Sequence, residues 1–287
     1  MRIAALIILY NPDIVLLKKN ISACLPQAEH IYLWDNSEAA SLDIRTLGVN
    51  CEKLSYHAYS CNKGIATALN DGCRTALDEG FDWILTLDQD SIMPDNMIAS
   101  FTQIIQQDKQ EQIGIITPQI NAYAGANHCK RQSVDELPKC ITSGSLVRLS
   151  AFREVNGFKD YLFIDNVDTE FSLNLRLHGY RILRDNSAVL NHHIGNMRPV
   201  RLYNKTLFHV LNHNYLRCYY MTRNNLYIHK HFGHMSGTHD YGWNFVMKLF
   251  LKILFFEDDK RRKLISIYRG ISDFRNGVYG KYRYTSE

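Results

Sequence analysis

Four apolar runs, three of them closing on a carboxylate or a turn, constrain this chain more than any other feature. They are IAALIILY (3–10), HIYLWDNS (30–37), FDWILTLD (81–88) and GIITPQI (114–120). Runs this short and this apolar read as strands buried on both faces. A further strand is expected near 51–59. Helix-like segments lie between them: DIVLLKKNISACL, and GIATALNDGCRTALDEG with Ile65, Ala68, Leu69, Ala76 and Leu77 at roughly helical spacing and Gly80 as its stop. Strands alternating with helices predict an α/β fold with a mostly parallel sheet and crossover helices. Ligands of such sheets bind beyond the carboxyl ends of the strands, where Asp35 and Asp88 fall.

The stretch WILTLDQDS (83–91) carries two aspartates, Asp88 and Asp90, at the end of its apolar run. Side chains alternate along an extended strand, so the two are expected on one side. Like charges that close repel unless a cation or hydrogen-bond donors offset them. A strand end followed by a turn at Ser91 and Pro94, with solvated aspartates, accounts for the stretch as well, so the rest of the chain has to decide.

Composition narrows the class. With 287 residues, 46% hydrophobic and 22% charged, the chain is long enough for one large α/β domain with an appendage and too apolar for disorder. Seven cysteines (24, 51, 61, 73, 129, 140, 218) without a Cys-x-x-Cys pair point to reduced thiols in a cytoplasmic protein. The first apolar run is too short to span a bilayer, and Asn11-Pro12-Asp13 follows it, so it reads as a strand and not as a signal peptide. Charge is uneven. Residues 1–120 carry 8 basic against 15 acidic side chains, residues 121–195 carry 9 against 8, and residues 196–287 carry 16 against 6. A basic end implies an anionic partner: nucleic acid, a membrane surface or a phosphorylated ligand.

From about residue 196 the pattern turns to long helical stretches rich in Tyr, His, Asn and Arg. WNFVMKLFLKILFF (243–256) is apolar except for Asn244, Lys248 and Lys252, which form a narrow polar stripe. Fourteen residues cannot cross a membrane. The segment is either a buried or homodimer-forming helix, or one lying in a membrane interface with Lys260-Arg261-Arg262-Lys263 toward anionic headgroups.

Several segments together resemble the nucleotide-sugar glycosyltransferases of the GT-A fold, in the large inverting family 2 and its bacterial rhamnosyltransferase branch. They are LYNP (9–12), WDNS (34–37), NKGIATALNDG (62–72), LTLDQDS (85–91), TSGSL (142–146), DNVDTEFSLNLRLHGY (165–180), HHIG (192–195) and YYMTRNN (219–225). The resemblance spans nearly the whole chain. It implies a GT-A, Rossmann-like sheet flanked by helices, with residues 1–195 as the catalytic domain and 196–287 as a basic helical C-terminal region for acceptor, membrane or dimer contacts. By resemblance Asp90 ligates Mg²⁺ or Mn²⁺, Asp88 contacts the ribose or the metal's water shell, and Asp35 accepts the imino proton of a pyrimidine. The same resemblance implies that Asn62, Gly64 and Asn70 line the nucleotide pocket and that His192 contacts metal or phosphate. Asp168 matches the family's catalytic base, Glu170 orients acceptor or loop, and Arg223 and Asn224 lie on the acceptor or phosphate side. Two positions depart from the family pattern. Leu9 stands where relatives often have Thr, and Val167 stands where the catalytic motif usually has Glu.

The implied function is transfer of L-rhamnose from dTDP-L-rhamnose to a hydroxyl of a glycan acceptor, expected to be lipid-linked, in O-antigen or capsule-type polysaccharide synthesis at the inner face of the cell membrane. UDP-hexoses are the other donor class. A non-catalytic sugar-nucleotide-binding subunit of an assembly complex is the non-enzyme reading. A nucleotidyltransferase would show a glycine-rich phosphate loop at the first strand, which LYNPD lacks. Nucleic-acid binding is disfavoured because the long apolar helix interrupts the basic and aromatic residues.

Overall fold

A computed structural model describes residues 1–39, 42–49, 51–59, 61–121, 133–191, 198–202, 205–210 and 212–284. The chain divides into two compact units. Met1–Asp160 with Asp168–His193 forms the first, and Tyr161–Val167 with Ile194–Glu287 forms the second.

The first unit is built on eight strands: β1 (Ile3–Leu9), β2 (His30–Asp35), β3 (Leu54–Ala58), β4 (Trp83–Asp88), β5 (Ile113–Asn121), β6 (Val134–Glu136), β7 (Ser145–Arg148) and β8 (Arg181–Asn191). Their order is β3-β2-β1-β4-β7-β5-β8-β6. β1 pairs in parallel with β2 on one side and β4 on the other, which is why its sequence is almost unbroken apolar. The expectation of a mostly parallel sheet meets a difference at β7, which runs antiparallel to both β4 and β5, and at β6, antiparallel to β8. β7 is only four residues long, too short to announce itself by periodicity.

Helices α1 (Ile14–Cys24), α2 (Ile65–Asp78), α3 (Met97–Gln106), α4 (Leu149–Glu154) and α5 (Val167–Leu177) complete this part of the chain. Asp13 caps α1, its carboxylate accepting from the N–H groups of Val15 and Leu16. α2 lies hard against β1, since a Cβ on Gly72 would meet Leu6 at 2.5 Å. It stops where the sequence predicts, at Gly80 with φ +77°. β1 sends the chain to β2 on one side and, later, to β4 on the other. That reversal makes the carboxyl ends of β1, β2 and β4 the switch point where α/β sheets bind ligands.

The second unit holds the antiparallel pair β9 (Arg198–Leu202) and β10 (Lys205–Val210), followed by α6 (Tyr215–Phe232), α7 (Trp243–Phe256) and α8 (Lys260–Arg275). The stretch after residue 196 is therefore not helical from its start; the helices begin at Tyr215. α6 and α8 pack so closely that a Cβ on Gly270 would meet the carbonyl of Tyr219 at 2.8 Å. Val246, Leu249 and Ile253 of α7 share a core with Cys218, Leu226 and Ile267.

Candidate active site

The register fixes the geometry of the switch point. Leu9 of β1 lies opposite Asp35 of β2, and Ile8 lies opposite Asp88 of β4. Asp35 and Asp88 thus stand at one level of the sheet edge, two strand spacings or roughly 10 Å apart. Asp35 is 1% exposed. One carboxylate oxygen accepts from the Ser37 N–H at 2.9 Å and the other from the Tyr56 hydroxyl at 2.8 Å. Burial and that bond push the Tyr56 hydroxyl up to about 12, so it stays a donor. Each carboxylate oxygen can accept twice, which leaves capacity for a ligand N–H. A cleft of about 490 Å³ opens here, lined by Asn11, Pro12, Asp35, Ser37, Leu42 and Thr46 among others. That volume lies in the range of small-molecule sites.

The sequence motifs around the cleft tie one another down. Ser37 Oγ accepts from the Asn11 N–H at 2.7 Å, joining WDNS to LYNP. Asn36 and Asn62 pair through their side chains at 3.1 Å, and Asn36 Oδ1 accepts from the Lys63 N–H at 2.8 Å. Asn62 Oδ1 also accepts from the Gly64 N–H at 2.9 Å. Gly64 has φ +89°, a conformation that side chains rarely adopt, at the entry to α2. Asn36 and Ser37, to which the motif assigns no role of their own, thus join the site, and their place directly after Asp35 is the sequence signal for it. Asn70 differs from its expected role. Its amide grips the Phe158 backbone at 2.8 Å in both directions and the Asp160 carboxylate at 2.5 Å, so its hydrogen bonds hold the 158–160 segment.

Asp88 ends β4, and Gln89 and Asp90 form a turn. The two aspartates are therefore not successive same-side residues of one strand, because the chain leaves the extended conformation between them. The turn is strongly braced. Asn20, buried within the apolar stripe of α1, donates to the Asp88 carbonyl at 2.8 Å. The Gln89 side chain pairs with the Tyr10 backbone at 2.8 and 3.2 Å. Ser143 Oγ accepts from the Asp88 N–H at 3.1 Å and donates to Ser91 Oγ at 2.7 Å. This gives TSGSL its physical reason: Gly144, with φ +82°, leaves no room for a Cβ beside Leu190 and Pro118. Asp88 and Asp90 are both half-buried. Among the described residues no group of three or more His, Cys, Asp or Glu is assembled for a metal. A hard cation of the Mg²⁺ class is usually held by one or two carboxylates plus phosphate oxygens and water, a demand that Asp90 and Asp88 fit. His192 lies outside the described residues.

In α5, Asp168 and Glu170 occupy the first turn, where acidic residues also favour the helix dipole. Asp168 is half-buried, and its Oδ1 accepts from the Thr169 N–H at 2.7 Å. Glu170 is 1% exposed, and its Oε2 is buried without a hydrogen-bond partner. Burial pushes the Glu170 carboxyl up to about 7, with Lys159 acting in the opposite direction.

In the second unit, Arg223 and Asn224 differ from the expected contact with a diphosphate or acceptor. Both are fully buried in α6. The five N–H donors of Arg223 go to Asn224 Oδ1, Tyr219 Oη and the carbonyls of Gly280, Tyr161 and Leu162, at 2.8–3.3 Å. Asn224 donates to the carbonyls of Leu162, Ile164 and Asp165 at 2.8–3.0 Å. The pair clamps a segment in which Phe163, Asp165 and Asn166 all have positive φ. Asp165 pairs with Arg217 at 3.1 Å, and burial raises its carboxyl despite that partner. Arg223 and Asn224 of YYMTRNN thus hold backbone that would otherwise be unpaired.

The fold is that of the GT-A glycosyltransferases. Solved structures that share the fold include GalNAc-T7 with UDP, GalNAc and Mn²⁺ (TM-score 0.63, 11% identity, 97% of this chain and 57% of that one). Others are S. aureus TarS 1-349 with UDP-GlcNAc (TM-score 0.61, 12% identity, 97% and 82%) and the mannosyltransferase PcManGT from Pyrobaculum calidifontis with GDP-Man and Mn²⁺ (TM-score 0.56, 12%, 96% and 75%). The chain spans just over half the length of the first of these. No family model matches the sequence. In sequence the chain is similar to the dTDP-rhamnosyl transferase RfbF of Shigella flexneri, 27% identical over 236 residues, covering 77% of this chain and 78% of that protein. These likenesses, in fold and in sequence, are to glycosyltransferases, and the one in sequence is to a dTDP-rhamnosyl transferase.

Proposed function

We propose that this chain transfers L-rhamnose from dTDP-L-rhamnose to a hydroxyl of a lipid-linked glycan, with inversion at the anomeric carbon, in cell-surface polysaccharide synthesis. The reading rests on one observation above all. Asp35 and the Asp88-Gln89-Asp90 turn stand at the switch point of the sheet beside a nucleoside-sized cleft. The likeness to a dTDP-rhamnosyl transferase supports the choice of donor.

In this account Asp35 accepts the imino proton of the pyrimidine. Asn62 and Gly64 shape the loop beside it, and Asp88 contacts the ribose. Asp90, with Asp88 and His192, would hold Mg²⁺ or Mn²⁺, which when bound offsets charge on the departing diphosphate. Mn²⁺ in two of the similar structures supports a divalent ion. Asp168 takes the acceptor hydroxyl's proton as that oxygen attacks the anomeric carbon from the face opposite the diphosphate. The carbon–oxygen bond to the diphosphate breaks, and its electron pair leaves with the nucleoside diphosphate. Residues 1–195 act as the catalytic domain, and the basic region 196–287 attaches the enzyme peripherally to the cytoplasmic face of the membrane. No helix among the described residues is long and apolar enough to cross a membrane.

The test is transfer itself. Purified chain, dTDP-L-rhamnose, Mn²⁺ and a lipid-linked glycan fraction should release dTDP and give a rhamnoside of inverted configuration by NMR. Donor binding without release across such fractions would favour a non-catalytic subunit.

A further inference from the structure

Helix α7 exposes more apolar surface than its anchoring in the second unit accounts for. Trp243, Met247, Phe250, Leu251, Leu254 and Phe255 are each between 38% and 64% exposed. Their spacing of three and four residues makes them one stripe along the helix. At about 100° per residue, the buried stripe of Val246, Leu249 and Ile253 lies roughly a third of a turn to one side. Lys248 and Lys252 edge the stripe on the other. The helix therefore has a protein side, an open apolar side and a cationic side.

The turn that follows adds to the cationic side. Lys263 is excluded from it, because its ammonium is buried against Glu257 at 2.9 Å and Asn212 Oδ1 at 2.5 Å. That buried pair fixes the α7–α8 turn. Lys260, Arg261 and Arg262 remain exposed at the start of α8. Nearby acids are fewer: Asp258, bonded to Asn212, Asp259, and Asp240 at 4.0 Å from Lys248.

We infer that the exposed face of α7 is a membrane-interface contact, the helix lying in the plane of an anionic bilayer. Its 14 residues span about 21 Å, too short to cross a core of about 30 Å. The apolar stripe sits at the headgroup–acyl boundary, Lys248 and Lys252 reach toward phosphates, and Lys260, Arg261 and Arg262 add attraction. A second copy of this chain fits the stripe less well, since a two-fold contact would bring these like charges together. The inference rests on the peripheral attachment proposed above and gives it a surface and a mode.

The chain carries its own reporter. Trp34 and Trp83 are buried, whereas Trp243 lies on the stripe. The whole protein is mixed with vesicles of equal parts phosphatidylglycerol and phosphatidylcholine, with and without brominated acyl chains. The expected result is a blue shift of tryptophan emission and its quenching by bromolipid, partly retained in salt of about 0.5 M, where charge attraction is screened. Leu251→Glu with Phe255→Glu should lower partitioning about tenfold or more, with donor binding unchanged. Sedimentation with vesicles without shift or quenching means binding by charge alone; it overturns this inference and leaves peripheral attachment standing. No sedimentation at any salt removes both. A blue shift that grows with protein concentration in the absence of vesicles assigns the stripe to a second copy and overturns the membrane contact. The bromolipid arm uses the unaltered chain, so it decides even if the double variant fails to fold.

Discussion

Asp168 and Glu170 lie two residues apart on α5, and their surroundings predict different behaviour. Asp168 is half-buried, and a positioned base contributes on the order of 10²–10⁴-fold. Asp168→Asn should lower turnover by about that factor while donor affinity, measured by calorimetry, stays near the parent's. Near-parental turnover would move the base elsewhere. Glu170 titrates at about 7 in the fold against 4.5 for an ordinary glutamate. It binds its proton more tightly when folded, so its contribution to stability is fullest below about pH 4.5 and declines as pH rises through 7. Glu170→Gln should remove that decline, on the order of 2 kcal/mol between pH 5 and 8. Parallel melting profiles for parent and variant over that range would rule out the carboxyl as its origin. Asp90→Ala should abolish the Mn²⁺-dependent part of donor binding; an unchanged Mn²⁺ effect would remove Asp90 from the metal site. Asp35 and Asp88 were legible because a carboxylate ending an apolar run is visible in the sequence. Asn20 was not, since its amide bonds a carbonyl 68 positions away from within an apolar stripe.

At the scale of elements, the buried polar residues of α6 separate two uses of an Arg-Asn pair. Asn224→Ala would leave the carbonyls of Ile164 and Asp165 and the Nε of Arg223 without their partner, whereas the Leu162 carbonyl keeps Arg223. Each buried group left unmade costs about 1–3 kcal/mol. The variant should therefore melt earlier by several kcal/mol, with donor affinity in the cold unchanged. A stable variant with lost donor affinity would restore the diphosphate reading. Gly144→Ala should likewise destabilise, by about 1–3 kcal/mol, because φ is positive and Leu190 stands 2.7 Å from the new Cβ. The long parallel strands and α2 with its terminal glycine follow from periodicity and breakers. β7 and the β9–β10 pair do not, because short antiparallel strands take their stability from partners far away in sequence.

For the molecule as a whole, the charge division that sequence counting reveals, acidic up to residue 120 and basic from 196, follows the division into a sheet unit and a helical unit. The segment 161–167 breaks that simplicity by grouping with the helices, through hydrogen bonds to α6 that no local pattern encodes. The proposed class of reaction is legible because eight motifs resemble those of a family in order; the acceptor leaves no such trace. The central claim is that the cleft beside Asp35 and the Asp88-Gln89-Asp90 turn takes a deoxythymidine diphosphate sugar. Calorimetric titration of the whole chain with dTDP-L-rhamnose and with UDP-glucose, each with and without Mn²⁺, tests it most directly. dTDP-L-rhamnose should bind at least tenfold more tightly, about 1.4 kcal/mol, and Mn²⁺ should strengthen its binding. Tighter binding of UDP-glucose by the same margin would contradict that claim.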